Sequence, residues 1–355
     1  MSDAQPARPN RRTLLKATTA TAALLATGAC ADAAAGEQGD RGGARIDTHH
    51  HVVPPELQAW LIREGILPPD QDQWPSWVRW DLAKTLDVMD ANGIEVGVAS
   101  TPAPFDLFQS AAQAAEGARV CNETMASLVR DNPRRFGFFA YLPLPHVDLA
   151  LAEVAYAFDE LGADGVLMMT HAGPHYLGDP AFDPVFAELN RRKAVVFTHP
   201  LDLPGGPAEG IPAQFGDFLL DTTRAAIRMI TSGTLDRYPD LSIILSHAGG
   251  FLPYMAGRFD SDEIIDQEQA RAALRRFYFD TALPAAPYAM PSLLGAVGEN
   301  RVLFGTDWNA NSAGVVTEIC TEFDRDPALD HRLRRKINRD NALRLLPSVA
   351  ARLSK

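Results

Sequence analysis

From Ala44 onward, short runs rich in Val, Ile, Phe and Leu alternate with longer stretches whose apolar residues recur at helical spacing. Eight of the short runs read as strands: ARIDTHH (44–50), VGVAST (96–101), RFGFFAYL (135–142), DGVLMMT (164–170), AVVFTH (194–199), LSIILSH (241–247), FYFDTAL (277–283) and RVLFGTD (301–307). Helices are predicted between them, among others over 81–93, 114–132 and 148–162, with endings at Asn or Gly where helices commonly stop. Strands that alternate with helices build a parallel sheet, and eight such units close into a (β/α)8 TIM barrel of about 250 residues. The reading is therefore an α/β chain with one barrel domain over 44–355.

The first 43 residues follow a different pattern. Arg11-Arg12 precede a short, mildly apolar Ala/Thr-rich stretch that ends near Ala29, and residues 33–43 are Ala, Gly and charge with no periodicity. This predicts a twin-arginine export leader followed by a flexible tether. Thr27-Gly28-Ala29-Cys30 resembles a lipoprotein cleavage box with Thr27 where Leu is usual, so a lipid anchor at Cys30 and simple cleavage are both left open. The expected destination is the periplasm, the exterior or the cell surface. No later stretch has the roughly 20 apolar residues a membrane span requires. Cys121 and Cys320, the cysteines beyond the leader, are expected to be buried thiols rather than a disulfide framework.

Composition narrows the function. With 355 residues, 46% of them apolar, the chain can bury a large core. A formal charge of −12 argues against a nucleic-acid or anionic-membrane surface and leaves small-molecule chemistry as the default.

Nearly every predicted strand ends in a residue able to bind metal or move a proton: His49 and His51, His171, His199, His247, Asp280 and Asp307. In a barrel the C-terminal strand ends converge on one face, so these residues meet there. His49 and His51 are two apart on an extended segment and leave the same side, whereas His50 points away. An isolated H-x-H pair reads first as a His-rich polar turn; His199 and Asp307 at other strand ends reverse this in favour of a metal site. For His247, in SHAGGFLPY, the competing reading is a satisfied core histidine. Trp74, Trp77 and Trp80 are either an aromatic lid over the catalytic face or ordinary core.

The segments IDTHHHVVPP, VVFTHP, ILSHAGG and LFGTDW, in this order and spacing, resemble the amidohydrolase-related family typified by aminocarboxymuconate semialdehyde decarboxylase, over residues 45–345. Within it FGFFAYLPL, HYLGDPAFDPVFAEL, FYFDTAL and NALRLL look most like 6-methylsalicylate decarboxylases. The resemblance implies one divalent metal ion on His49, His51, His199 and Asp307, with zinc expected and manganese also accepted by this ligand set. It gives His247, with Asp307, the acid-base role. The strand that carries a bridging lysine in other amidohydrolases reads GVLMMT here, so a single-metal site is expected. Arg258 is implied to hold a substrate carboxylate, from a neighbouring subunit in some members, which makes a homodimer or larger assembly the expected form; a solvated surface arginine is the competing reading. Trp308 is taken with it as substrate-binding. The chain departs from the family where an aromatic and a proline often follow the last Asp: it has Trp308-Asn309-Ala310-Asn311-Ser312, which leaves substrate identity open.

The resemblance implies non-oxidative decarboxylation of an ortho-hydroxy benzoate-like or enol carboxylate. The ligand set alone also suits a hydrolase that opens a lactone, amide or ester with metal-activated water. A third reading, an exported metal-binding protein without activity, is disfavoured because both His247 and Asp307 are present.

Overall fold

The computed structural model describes residues 44–260, 266–282 and 285–354; the expected leader, Arg11-Arg12 and Cys30 lie outside the described residues. In chain order the strands are β1 (Arg45–His51), β2 (Ile94–Ser100), β3 (Phe136–Tyr141), β4 (Gly165–Met169), a short antiparallel hairpin of β5 (His171–Ala172) and β6 (His175–Tyr176), β7 (Val195–His199), β8 (Ser242–Leu245) and β9 (Tyr278–Phe279). Seven of them form one curled sheet in the order β1-β2-β3-β4-β7-β8-β9, and every pairing in it is parallel. Parallel neighbours need a crossover, and helices supply it: α1 (Pro55–Arg63) and α2 (Leu82–Ala91) before β2, α3 (Ala111–Asp131) before β3, α4 (Val147–Asp159) before β4, α5 (Asp183–Arg191) before β7 and α6 (Asp217–Thr231) before β8.

Side-chain caps set where these helices begin. Asp81 accepts from Lys84 N at 2.8 Å and opens α2, and Ser110 accepts from Gln113 N at 3.2 Å. The Ser110 cap starts α3 three residues before the start expected at 114. Strands rich in Val, Ile and Phe bury both faces, as a sheet covered by crossover helices requires. Phe139 of β3 stacks on Phe197 of β7 at 5.4 Å, and Phe197 meets the edge of His49 at 4.9 Å. The metal-competent side chains therefore rest on an aromatic layer. Cys121 and Cys320 are buried and unpaired, as expected. Among the described residues no helix is long and apolar enough to cross a membrane.

The eighth predicted strand is not a regular one. Residues 301–308 make single parallel bridges on both sides, Val302 to Phe279 of β9 and Trp308 to His50 of β1. Backbone bonds tie the segment to both neighbours, with Leu303 N donating to Phe279 O at 2.8 Å and Thr48 N to Phe304 O at 2.9 Å, and side chains take over at 305–306: Asp47 accepts from Thr306 N at 3.0 Å and from Thr306 Oγ1 at 2.5 Å, and Thr281 Oγ1 accepts from Gly305 N at 3.1 Å. Asp307 then turns to φ +58°, a region costly for a residue with a Cβ. Its backbone N–H still donates to His49 O at 2.9 Å, which joins the segment to β1.

Two glycines allow close approaches on which this arrangement depends. A Cβ on Gly97 of β2 would lie 2.8 Å from the ring of His50, which Asp47 holds at 2.9 Å. Gly250, at φ +64°, brings the loop after β8 against Leu219 O of α6, where a Cβ would stand 2.1 Å away. Gly250 thus serves contact between loop and helix. Gly97→Ala is expected to lower stability by about 1–3 kcal/mol, the scale of overpacking in a closed core. A urea melt matching wild type would show that the His50 ring has room to move.

Candidate metal centre

β1, β7, the turn after β8 and the 301–308 segment each deliver one part of a buried cluster. His49 and His51 leave β1 on the same side, with their Nε2 atoms 3.0 Å apart. Asp307 Oδ1 lies 3.3 Å from His49 Nε2 and 3.0 Å from His51 Nε2, and Asp307 Oδ2 lies 3.7 Å from His247 Nε2. The His199 ring centroid is 4.9 Å from that of His51, 5.3 Å from His49 and 5.7 Å from His247. His49, His199, His247 and Asp307 each offer a ligand atom within 4.8 Å of the others, and His51 joins them through His49 and Asp307. All five residues predicted as metal ligands or acid-base groups meet here, and His50 points away as expected.

Each imidazole is oriented by its surroundings except one. His49 Nδ1 is 2.8 Å from Asp280 Oδ2, His51 Nδ1 is 3.1 Å from Ser100 Oγ, and His199 Nδ1 donates to Pro200 O at 2.9 Å. These bonds leave the three Nε2 atoms for the cluster. Both ring nitrogens of His247 are buried with no hydrogen-bond partner among the described residues, as is Asp307 Oδ1. The His247 backbone is nevertheless fixed, since its N–H donates to Asp280 Oδ1 at 2.8 Å and its φ is +54°.

Burial opposes charge on His49, but Asp280 and Asp307 outweigh it and lift its pKa to about 10. Burial pushes His51 down although the neighbouring Asp307 carboxylate pulls the other way, and burial among the other imidazoles pushes His199 well below its ordinary value. Burial would raise the Asp307 carboxyl; the charge on His49 and contacts from three imidazoles hold it well below the carboxylate range. The centre thus calls for positive charge between His49 and Asp307.

A divalent cation fits that demand. Two imidazole nitrogens on one tetrahedral zinc stand ~3.3 Å apart, given Zn–N distances of about 2.0–2.1 Å, and the closest pair here is at 3.0 Å. The orphaned Asp307 Oδ1 is a further oxygen donor in the same place. Three imidazoles with a carboxylate suit zinc or manganese chemically.

The other predicted residues lie elsewhere. His171 is outside the cluster, with Nδ1 2.8 Å from Gly173 O and Nε2 3.0 Å from Asp202 O. Trp308 is 1% exposed and donates its indole N–H to Thr85 Oγ1 at 3.2 Å, so it faces α2. Arg258 is exposed on the turn Ala256–Asp260. Trp74 and Trp80 are core residues, while Trp77 is partly buried. Two supports escaped sequence reasoning. Asp47 is an ordinary strand aspartate until its partner Thr306 is known, and Ser100 is one of many serines. Asp280 had a visible signal, its place at a strand end, but its service to both His49 and His247 is not readable from spacing.

The family model described as Amidohydrolase matches residues 46–348, and the chain belongs to that family. It is 35% identical over 326 residues to Decarboxylase yanB of Aspergillus niger, covering 85% of this chain and 87% of that protein. It is 35% identical over 331 residues to the 6-methylsalicylic acid decarboxylase of Penicillium expansum, covering 88% of this chain and 99% of that one. A crystal structure of 2,6-dihydroxybenzoate decarboxylase complexed with 2,6-dihydroxybenzoate superposes with a TM-score of 0.74 at 26% identity, over 86% of this chain and 99% of the other.

Asp280 should matter without touching the ion, because a carboxylate behind a ligating histidine fixes its ring and tautomer. Asp280→Asn is expected to weaken zinc affinity by about 10- to 100-fold. Unchanged affinity in a competitive chelator titration would reduce Asp280 to a fold residue.

Proposed function

We propose that this chain is a metal-dependent, non-oxidative decarboxylase of an ortho-hydroxy aromatic acid. The observation that carries the reading is the alignment of decarboxylase relatives along nearly their whole length with this chain, whose His and Asp side chains meet in one buried cluster. The proposal includes a (β/α)8 barrel over 44–355, with 301–308 as its eighth stave; the bridges from that segment to both β9 and β1 support it.

In this reading His49, His51, His199 and Asp307 hold one divalent ion, zinc first and manganese as the alternative. The division between ligands and acid-base group follows from orientation. A ligating histidine almost always has its second nitrogen hydrogen-bonded, which is true of His49, His51 and His199 and untrue of His247. His247 is therefore kept for proton transfer.

Bound there, a divalent ion would lend Lewis acidity to the substrate oxygens. His247 Nε2 gives its proton to the ring carbon that bears the carboxylate. The bond from that carbon to the carboxylate breaks, its electron pair restores the aromatic ring, and CO2 departs. Asp307 Oδ2, 3.7 Å from that nitrogen, is placed to pass a proton to or from it. Arg258, exposed on its turn, would reach a substrate carboxylate from a neighbouring copy, which makes the active form a homodimer or larger.

Run in heavy water, the reaction is expected to release CO2 from an ortho-hydroxy benzoate and to leave one solvent deuterium at the vacated carbon. His247→Ala should retain its metal and lose about 10²-fold or more in turnover, the scale of a positioned acid-base group. Opening of lactones in place of CO2 release would make the chain a hydrolase.

The same proposal places the protein outside the cytoplasm through a twin-arginine leader, with a lipid anchor at Cys30 as a variant of it. Replacing Arg11 and Arg12 with lysine is expected to retain the protein in the cytoplasm, and continued export would point to another route.

A further inference from the structure

His199 is oriented differently from the other two proposed histidine ligands. His49 and His51 lean on side chains of other elements, Asp280 and Ser100, whereas His199 Nδ1 donates to the carbonyl of the residue that follows it, Pro200 O, at 2.9 Å. Its ring is therefore only as fixed as the backbone just past β7. Pro200 has no N–H of its own to anchor that backbone, and residues 204–211 are exposed. The anchoring falls on three bonds: Thr170 N donates to His199 O at 2.9 Å, Leu201 N to Asp221 Oδ2 at 3.0 Å, and His171 Nε2 to Asp202 O at 3.0 Å.

Asp221 joins these bonds into one support. It lies on the buried face of α6 with Thr222, Ala225 and Ala226, and is 0% exposed. A carboxylate so buried is costly unless it is hydrogen-bonded, and its bonds converge on both chains that flank His199. Oδ2 accepts from Leu201 N and from the hydroxyl of Thr170, the residue whose backbone holds His199 O. Oδ1 accepts from Tyr176 OH of β6 at 2.7 Å. Burial and the Asp221 carboxylate push the Tyr176 phenol up, so it remains an O–H donor to that oxygen. His171 closes the set: its Nδ1 meets Gly173 O at 2.8 Å, and its Nε2 stands 3.7 Å from Asp221 Oδ1 as well as bonding to Asp202 O. The strand-end histidine that stays out of the metal cluster thus has a place directly behind it.

We infer that Asp221, with His171 beside it, is the positioning residue of His199: the two pin Leu201 and Asp202, hold the Pro200 carbonyl in place, and so keep His199 Nε2 turned into the cluster. The inference rests on the reading of His199 as a ligand and adds to it a support that neither the ligand set nor the strand ends reveal. Outer partners of this kind are worth about 10- to 100-fold in metal affinity. Because the support reaches one histidine alone, its loss has a selective signature. His199 loosens, while His49 and His51, held by Asp280 and Ser100, do not.

The test reads the imidazole Nδ1–H signals of zinc-loaded protein carrying isotope-labelled histidine by NMR, together with zinc affinity in competition with a chelator. The His199 signal is assigned by its absence from His199→Gln. Asp221→Ala is expected to weaken zinc affinity by about 10- to 100-fold and to speed solvent exchange of the His199 Nδ1–H, with those of His49 and His51 exchanging as in wild type. Asp221→Asn keeps an oxygen for Leu201 N and should return affinity to within about threefold of wild type, the scale of one weak hydrogen bond. His171→Leu frees Asp202 O and leaves Asp221 in place, so it should show the same His199 signature to a smaller degree, and it decides the matter if Asp221→Ala does not fold. The inference is overturned if His199 keeps its slow exchange in these variants, if all three histidines loosen alike, or if Asp221→Asn binds zinc as weakly as Asp221→Ala. Wild type that takes up no zinc would overturn the metal reading alone, and the same ring N–H signals in the zinc-free chain then decide the role of Asp221.

Discussion

The axis from Asp280 through His49 to Asp307 is the interaction around which the rest is arranged. Burying several imidazoles and carboxylates together is expensive unless their charges are paired and hydrogen-bonded. Here Asp280 grips one side of His49 at 2.8 Å while Asp307 faces the other at 3.3 Å, and the same Asp280 carboxylate holds the backbone of His247. One side chain at the end of β9 thus sets the position of a proposed ligand and of the proposed acid-base group. The strained backbone at His247 and Asp307, both at positive φ, is tolerated because hydrogen bonds to Asp280 and to His49 O fix each residue.

The parallel sheet explains why such an axis exists. Its C-terminal strand ends gather on one face, and β1, β7, β8 and β9 bring residues from 49 to 280 together there. The 301–308 segment adds Asp307 by bonding to β9 on one side and β1 on the other. Asp47 is the hidden partner of this join, since it holds His50, His49 N and Thr306 at once. The His50 ring, packed on Gly97, keeps His49 and His51 turned inward.

Much of this was legible in the chain. Period-2 alternation and strand-end placement bring His49, His51, His199, His247 and Asp307 to one centre before any coordinates are seen, because side-chain direction on a strand and convergence at a parallel sheet's end are properties of the backbone. The roles of Asp47 and Ser100 were not legible. Each acts through a partner tens to hundreds of residues away, and a single sequence carries no record of such pairings. Register also stays hidden: the eighth run looks as strand-like as the others, yet Thr306 and Gly305 bond to side chains instead of a neighbouring strand. Trp308 illustrates the limit from the other direction. Its neighbour Asp307 faces the cluster, but its own indole is committed to Thr85.

The central claim is a proposed division of labour: three oriented histidines and Asp307 would hold one ion, and His247, with no hydrogen bond at either ring nitrogen among the described residues, would handle the proton. Anomalous diffraction from zinc-loaded crystals tests it most directly. The account predicts one peak per chain at about 2.0–2.3 Å from His49, His51 and His199 Nε2 and an Asp307 oxygen, with His247 outside bonding distance. Two peaks in the cluster, or one peak bonded to His247 with His51 left out, would contradict it.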